Sequence, residues 1–412
     1  MEENINNEAT TELTEEDAMR IILNSLVHYR AWARDNLLTP KATKYDMLTD
    51  EEKKLFHWFP NYLKKLEHSI DINSRYFEMV AESMGPFWGV GNPDTEYNKS
   101  NTDFPNLINL MNQFVREWSS DGMVERDISF GRILKYAEKY FPNIEFRPDI
   151  EVLVPGSGLG RLVVEFSKLG FKTQGTEISY FMLFNSHFLL NRAFVSNNFV
   201  LCPFIHKSSN NLKSNFQCRQ IYFPDFNAEE IYQLEKDYPS IKSDDLMSMI
   251  AGDFDDLYGP PGVAKKGQTT MDDPNAMAFR EGNVGRFKII ATSFFIDTAT
   301  NIIDYIKAIK HSLSDDGYWI NFGPLLWHHE HSEKFYDTDW KRPTGEIVKV
   351  RMPAQGLEIS MEDLIDLIEE MGFQFIEHES GIKSSYGSDS RSMSEWNYKC
   401  EFWICKKKHQ NN

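Results

Sequence analysis

The stretch EVLVPGSGLGRL, residues 151–162, decides the fold. Val152, Leu153 and Val154 form a short apolar run, the signature of a buried strand. Glycines at 156, 158 and 160 end it and allow a turn that side chains would obstruct. Arg161–Leu169 then carries apolar residues at helical spacing. A strand, a glycine turn and a helix in that order open a βαβ unit. The free N–H groups at such a helix start suit an anionic or strongly polar ligand.

The rhythm continues outward from this stretch. FKTQGTE (171–177) reads as a strand, Ser179–Asn191 as a helix, and LMSMIAGDF (246–254) as a strand. RFKIIATSFF (286–295) is a buried strand, Thr298–Leu313 a helix and YWINFG (318–323) a strand. Met361–Met371 reads as a helix, followed by strands at 373–379 and 398–407. Strands alternating with helices imply a largely parallel sheet covered on both faces. The last two strands lie close in sequence and suit an antiparallel pair at one edge.

Upstream the pattern is helical. Thr14-Glu15-Glu16-Asp17 and Thr49-Asp50-Glu51-Glu52 are capping-box openings. Further helices are expected over Ile70–Ser83, Pro105–Ser119 and Ser129–Tyr140, with GPFWGVGNP (85–93) as a break. The division expected is an acidic tail over 1–15, a helical region over 16–145 and an α/β domain over 146–412. Within that domain, 195–245 is an insertion after the second βα unit, and 259–285, rich in Gly and Pro, is a surface loop.

Composition narrows the function. A net charge of -18 on 412 residues repels phosphate backbones, which weighs against a nucleic-acid substrate and suits a small cationic or zwitterionic one. The 14% aromatic content allows an aromatic-lined pocket. Cys202, Cys218, Cys400 and Cys405 lack the paired spacing of a zinc site. No apolar run has the length of a membrane span, and the polar start lacks a secretory pattern. A cytoplasmic or nuclear location, with no membrane partner, is therefore expected.

The ligand is read from spacing. Glu177 ends the second strand, 17 positions after Gly160, where a carboxylate accepts both hydroxyls of an adenosine ribose. A dinucleotide site has G-x-G-x-x-G, but here the third glycine comes one residue early. The G-x-G-x-G form resembles the first motif of Rossmann-like methyltransferases. Asp253 and Phe254 follow another strand, where an acid can accept the adenine amino hydrogen and the next N–H can meet a ring nitrogen. Taken alone, that acid reads rather as an Asx turn; beside the glycine loop it reads as an adenine contact.

Six longer motifs carry a closer resemblance. They are QFVREWSSDGMVERD (113–127), VLVPGSGLGRL (152–162), FMLFNSHFLLN (181–191), AGDF (251–254), FFIDTATNIIDYI (294–306) and NFGPLLWHH (321–329). From about Trp32 to Lys406 the chain resembles the carnosine N-methyltransferase family. The resemblance implies a seven-stranded Rossmann-like methyltransferase sheet with an N-terminal helical region. It implies methyl transfer from S-adenosylmethionine to the imidazole Nπ of carnosine, giving anserine and S-adenosylhomocysteine. Related Xaa-His peptides are further implied substrates, and a homodimer is the implied assembly.

The resemblance also implies site residues. Gln113, Arg116, Gly156, Glu177, Asp253 and Phe254 match cofactor contacts, with Gly158 and Gly160 in the same loop. Ile289 stands where animal members carry Cys, and Ile178 where they carry Trp, so Ile289 can only pack on a cofactor. Asp297, His328, Tyr386 and Tyr398 match substrate contacts, with Asp297 and His328 the catalytic pair. An arginine can grip a carboxylate through two parallel bonds, which suits Arg116 to the methionine end of the cofactor. Asp297 reads equally as the cap of the helix that follows. The run His328-His329-Glu330-His331 invites a metal, but adjacent residues rarely converge on one ion, and no metal site is expected. The competing functions are a histidine methyltransferase acting on proteins or longer peptides, a non-catalytic cofactor-binding scaffold, and an oxidoreductase, which the glycine spacing disfavours.

Overall fold

The computed structural model describes residues 14–192, 195–227, 229–261, 274–330, 335–353 and 356–408. The tail expected over 1–15 falls outside these except for Thr14 and Glu15. Residues 262–273 of the loop expected over 259–285 and His331 of the histidine run also lie outside them.

Two compact units emerge. One comprises the N-terminal helices through Val115 together with Tyr180–Asp225 and Asp389–Ser394. The other holds Arg116–Ser179, Phe226–Ser388 and Glu395 onward. The boundary read from sequence at 145/146 differs from this division. The division instead falls inside the helix Phe104–Trp118, and residues 195–245 are shared between the units.

In the first unit, Thr14 and Thr49 both complete the capping boxes expected of them. The break expected at 85–93 comes late. Phe59–Phe87 is a single helix with Pro86 in its last turn. A Cβ on Gly85 would meet the two methyl groups of Leu23 at ordinary contact distance, so the glycine does not interrupt packing against the first helix. The aromatic core centres on Tyr76, ringed edge-on by Phe114, Phe188, Phe199 and Phe223. Asn73 ties the short strand pair Phe199–Leu201 and Ile221–Phe223 to that helix. Its Oδ1 accepts from Cys202 N at 2.6 Å, and its Nδ2 donates to Cys202 O and Tyr29 Oη at 3.0 Å. A buried amide thus meets its hydrogen-bond demand.

The second unit is built on seven strands: β1 (Glu151–Pro155), β2 (Lys172–Glu177), β3 (Met247–Ala251), β4 (Phe287–Ser293), β5 (Leu313–Gly323), β6 (Phe373–Ser384) and β7 (Tyr398–Lys407). Their order across the sheet is 3-2-1-4-5-7-6. β1 to β5 pair in parallel, and β7 runs antiparallel between β5 and β6. The antiparallel edge pair expected from sequence is present, with β7 also joined to β5. Val152, Leu153, Ile289 and Ile290 are fully buried, as a central parallel strand pair requires. A separate hairpin, Phe335–Lys341 with Ile347–Pro353, was not expected from the sequence.

The order reverses between β1 and β4, and open α/β sheets bind ligands outside the strand ends at such a point. Gly175 in β2 shows how tightly the neighbouring helix sits. A Cβ there would fall 2.6 Å from Met249 Sδ and 2.8 Å from both Ser157 Oγ and Val163 Cγ2. Gly175→Ala is expected to destabilise the protein by about 1–3 kcal/mol through overpacking. Urea unfolding measures this as a lower midpoint, and an unchanged midpoint would refute it.

Candidate active site

The glycine loop turns through three left-handed residues: Gly156 at φ 59°, Gly158 at φ 57° and Gly160 at φ 85°. Gly160 then starts the helix Arg161–Lys168. The loop is also held by its surroundings. A Cβ on Gly156 would lie 2.3 Å from Phe295 Cδ2, and one on Gly158 would lie 2.6 Å from Glu117 Oε1. Trp118 Nε1 donates to Leu159 O at 3.2 Å.

Glu177 reaches this loop from the end of β2. Its carboxylate accepts from Gly158 N at 2.9 Å and from Ile178 N and Ser179 N at 2.8 Å. Burial nevertheless raises its pKa, against the pull of those three N–H groups. Asp253 follows β3 at the start of the helix Phe254–Tyr258, but its side chain makes no capping bond. The Phe254 ring packs edge-on against Phe295 and Tyr305.

Arg116 is buried, with 5% of its surface exposed. Its Nε donates to Glu125 Oε1 at 2.7 Å. Its guanidinium lies 4.5 Å from the Tyr386 ring centre, 5.1 Å from Phe130 and 5.2 Å from Phe294. Burial alone would lower its pKa, but Tyr386, Glu125 and Glu117 outweigh that and leave it raised. Among the described residues its Nη2 has no hydrogen-bond partner. A buried guanidinium N–H without a partner is costly. It is the donor a ligand carboxylate would fill.

Glu125 reaches in the other direction as well. It accepts from Ser385 Oγ at 2.9 Å and Gly387 N at 3.0 Å, which fixes the segment carrying Tyr386. Tyr386, Tyr398 and Arg116 thereby meet around the Phe294 ring. Phe294 itself sits at φ 52°, a rare conformation for a bulky residue and one that marks functional sites.

Asp297 lies in a short turn, Ile296–Thr298, just beyond β4. It does not cap the next helix. That helix begins at Ile302, and Asn301 caps it. Asp297 Oδ2 accepts from Leu326 N at 2.9 Å, and its carbonyl accepts from His328 N at 3.1 Å. The two residues expected to act together are thus joined through the backbone. Burial lifts the Asp297 carboxyl to about 6, against the Leu326 N–H. Partial burial holds His328 below the ordinary imidazole value.

Ile289 lies in the middle of β4, fully buried beside Val152. The end of that strand is Ser293, whose Oγ is shielded from solvent with no hydrogen-bond partner among the described residues. Gln113 belongs to the first unit, on the helix Phe104–Trp118. The sequence reading missed Ser293, Phe294 and Glu117. Glu117 did carry a signal: an acid three residues after Phe114, on the apolar phase of its helix.

A sheet of order 3-2-1-4-5-7-6 with a glycine turn after β1 and an acid ending β2 is that of a Rossmann-like methyltransferase. A family model described as Carnosine N-methyltransferase matches residues 93–409. A Schizosaccharomyces pombe protein named Carnosine N-methyltransferase is 31% identical over 395 residues, covering 94% of this chain and 95% of that protein. A Rattus norvegicus protein of the same name is 33% identical over 370 residues, covering 88% of this chain and 80% of that one. The chain belongs to the carnosine N-methyltransferase family, and it is an N-methyltransferase.

Glu125→Ala would leave the Arg116 charge buried without its main partner. A loss of about 3–5 kcal/mol in unfolding free energy is expected. A loss below about 1 kcal/mol would show that Glu125 does not hold Arg116.

Proposed function

We propose that this protein transfers the methyl group of S-adenosylmethionine to the imidazole Nπ of carnosine, releasing anserine and S-adenosylhomocysteine. The observation that carries the reading is Asp297: a buried carboxylate beyond β4, tied to the His328 segment, in a unit whose glycine loop fits the cofactor. Family membership supports the same substrate.

The residues fit each part of the cofactor. Glu177 would take the ribose hydroxyls, Asp253 and the Phe254 N–H the adenine, and Arg116 the methionine carboxylate. The bound cofactor supplies an activated methyl on a sulfonium. The Nπ lone pair would take that methyl as the carbon–sulfur bond breaks with its electron pair left on sulfur, and the methylated ring cation would then release its Nτ proton to give neutral anserine. The protein's task is then alignment and exclusion of water. Ionised Asp297 would hold the Nτ–H, keep the Nπ lone pair free, and balance the charge that grows on the ring. His328, Tyr386 and Tyr398 would orient the dipeptide.

Purified protein with labelled S-adenosylmethionine and carnosine should give product methylated at Nπ, mapped by NMR. A product at Nτ, or transfer only to histidine in longer peptides or proteins, would refute the proposal. Asp297→Ala should keep cofactor affinity and lose methyl transfer, whereas Glu177→Ala should weaken cofactor binding.

The pH profile follows from two acids. Asp297 is active when ionised, so its contribution falls as pH drops through about 6. The substrate imidazole, with an ordinary pKa of about 6.5, loses its lone pair over nearly the same range. The acid limb of kcat/KM should therefore approach a slope of two and fall to one in Asp297→Asn. An unchanged slope would remove Asp297 from the ionisations that matter.

We also propose a homodimer working in the cytoplasm or nucleus. The exposed apolar side chains of Met47, Leu55, Phe56 and Trp58 support a self-association surface. Light scattering should give twice the chain mass, and a monomer would refute it.

A further inference from the structure

Glu117 is a buried carboxylate that the proposed chemistry has not used. Only 3% of its surface is exposed. A carboxylate so placed needs several donors. Its Oε2 accepts from Arg161 N at a long 3.3 Å, and its Oε1 lies 3.7 Å from Arg116 Nη1, beyond hydrogen-bond reach. The same Oε1 stands over Gly158, in the space a side chain there would fill. Beside it on the same helix, Arg116 keeps an unpartnered Nη2.

Two adjacent residues of opposite charge thus each have unused capacity next to the glycine loop. A free anion would satisfy Arg116 but repel Glu117, and a simple cation would do the reverse. A ligand end with an ammonium and a carboxylate on one carbon satisfies both. We propose that Glu117 is a cofactor-binding residue, taking the α-ammonium of the amino-acid end of the cofactor while Arg116 takes its carboxylate. This rests on the methyltransferase reading and assigns a contact that the glycine motif does not mark. Burial supports it further by pushing the Glu117 carboxyl up to about 7, against Arg116 and the Arg161 and Leu159 N–H groups, with Glu177 adding to the rise. That is the state of an acid still short of a cation.

The test compares two ligands by calorimetry on the full chain. S-adenosylhomocysteine carries the amino-acid end, and 5′-methylthioadenosine lacks it. Glu117→Gln keeps an acceptor for Arg161 N–H but removes the charge. It should weaken S-adenosylhomocysteine about tenfold or more, the scale of a charged hydrogen bond, and leave 5′-methylthioadenosine within about twofold. Equal losses for both ligands would make Glu117 a support of the loop only and overturn the proposal, as would no loss for either. If Glu117→Gln does not fold, the wild-type protein decides. It should bind S-adenosylhomocysteine far better than the analogue lacking only the amino group, and equal affinities would overturn the assignment. Failure of the wild type to bind S-adenosylhomocysteine at all would instead sink the methyltransferase reading.

Discussion

A guanidinium taken out of water is the constraint around which the second unit is arranged. Arg116 can stay charged in its buried position only if acids and aromatic faces replace the water it has lost. Glu125, Glu117, Phe130, Phe294 and Tyr386 do so, and between them they reach three separate segments. Glu117 touches the glycine loop, Phe294 follows β4, and Glu125 holds the segment of Tyr386. One buried charge therefore links the glycine loop with the turn after β4 and the segment carrying Tyr386. A buried ion pair is weak evidence of stability. Its physical value here is that it fixes where these three segments meet.

The sheet supplies the other half of the arrangement. β1 to β4 end on the same side, as parallel strands must, and deliver Gly156, Glu177, Asp253 and Ser293 to one edge. Where the strand order reverses, the first glycine of the loop leaves room for the Phe295 ring. The chain beyond β4 then turns through Phe294 at positive φ before it reaches Asp297. Gly323 at the end of β5 permits this. A Cβ there would come within 3.1 Å of Phe294 N. Backbone strain at Phe294 is offset by what it achieves: an aromatic face on Arg116 and a carboxylate placed three residues later.

Asp297 shows how burial and hydrogen bonding divide the work. Two N–H groups, from Leu326 and from Asp297 itself, are too little to offset the loss of water, so its pKa rises toward neutrality. An acid in that condition gains more from a cationic ring than a fully satisfied one would. Glu177 has three N–H donors, yet its pKa too is raised, because burial exceeds their combined pull. In both cases the protein holds a carboxylate that a ligand can stabilise further.

The features legible in the sequence were those set by near neighbours. The three glycines, the strand before them and the helix after them reveal a phosphate-free nucleoside loop, because left-handed backbone and free N–H groups are local properties. The capping boxes at Thr14 and Thr49 were readable for the same reason. Glu177 and Asp253 were legible because strand ends can be counted. What the tertiary structure alone decided were contacts between residues far apart in the chain. Glu117 over Gly158, Ser385 on Glu125 and Leu326 on Asp297 leave no period in the sequence. Strand β4 was readable, but the position that ends it, Ser293, depends on where the neighbouring strands stop pairing. The same limit explains the helix Phe59–Phe87, which runs through Gly85 because packing against Leu23 outweighs local propensity. Local backbone physics made the class of protein readable from its amino acids. The identity of the groups that face the ligand depended on long-range packing, which a linear pattern does not encode.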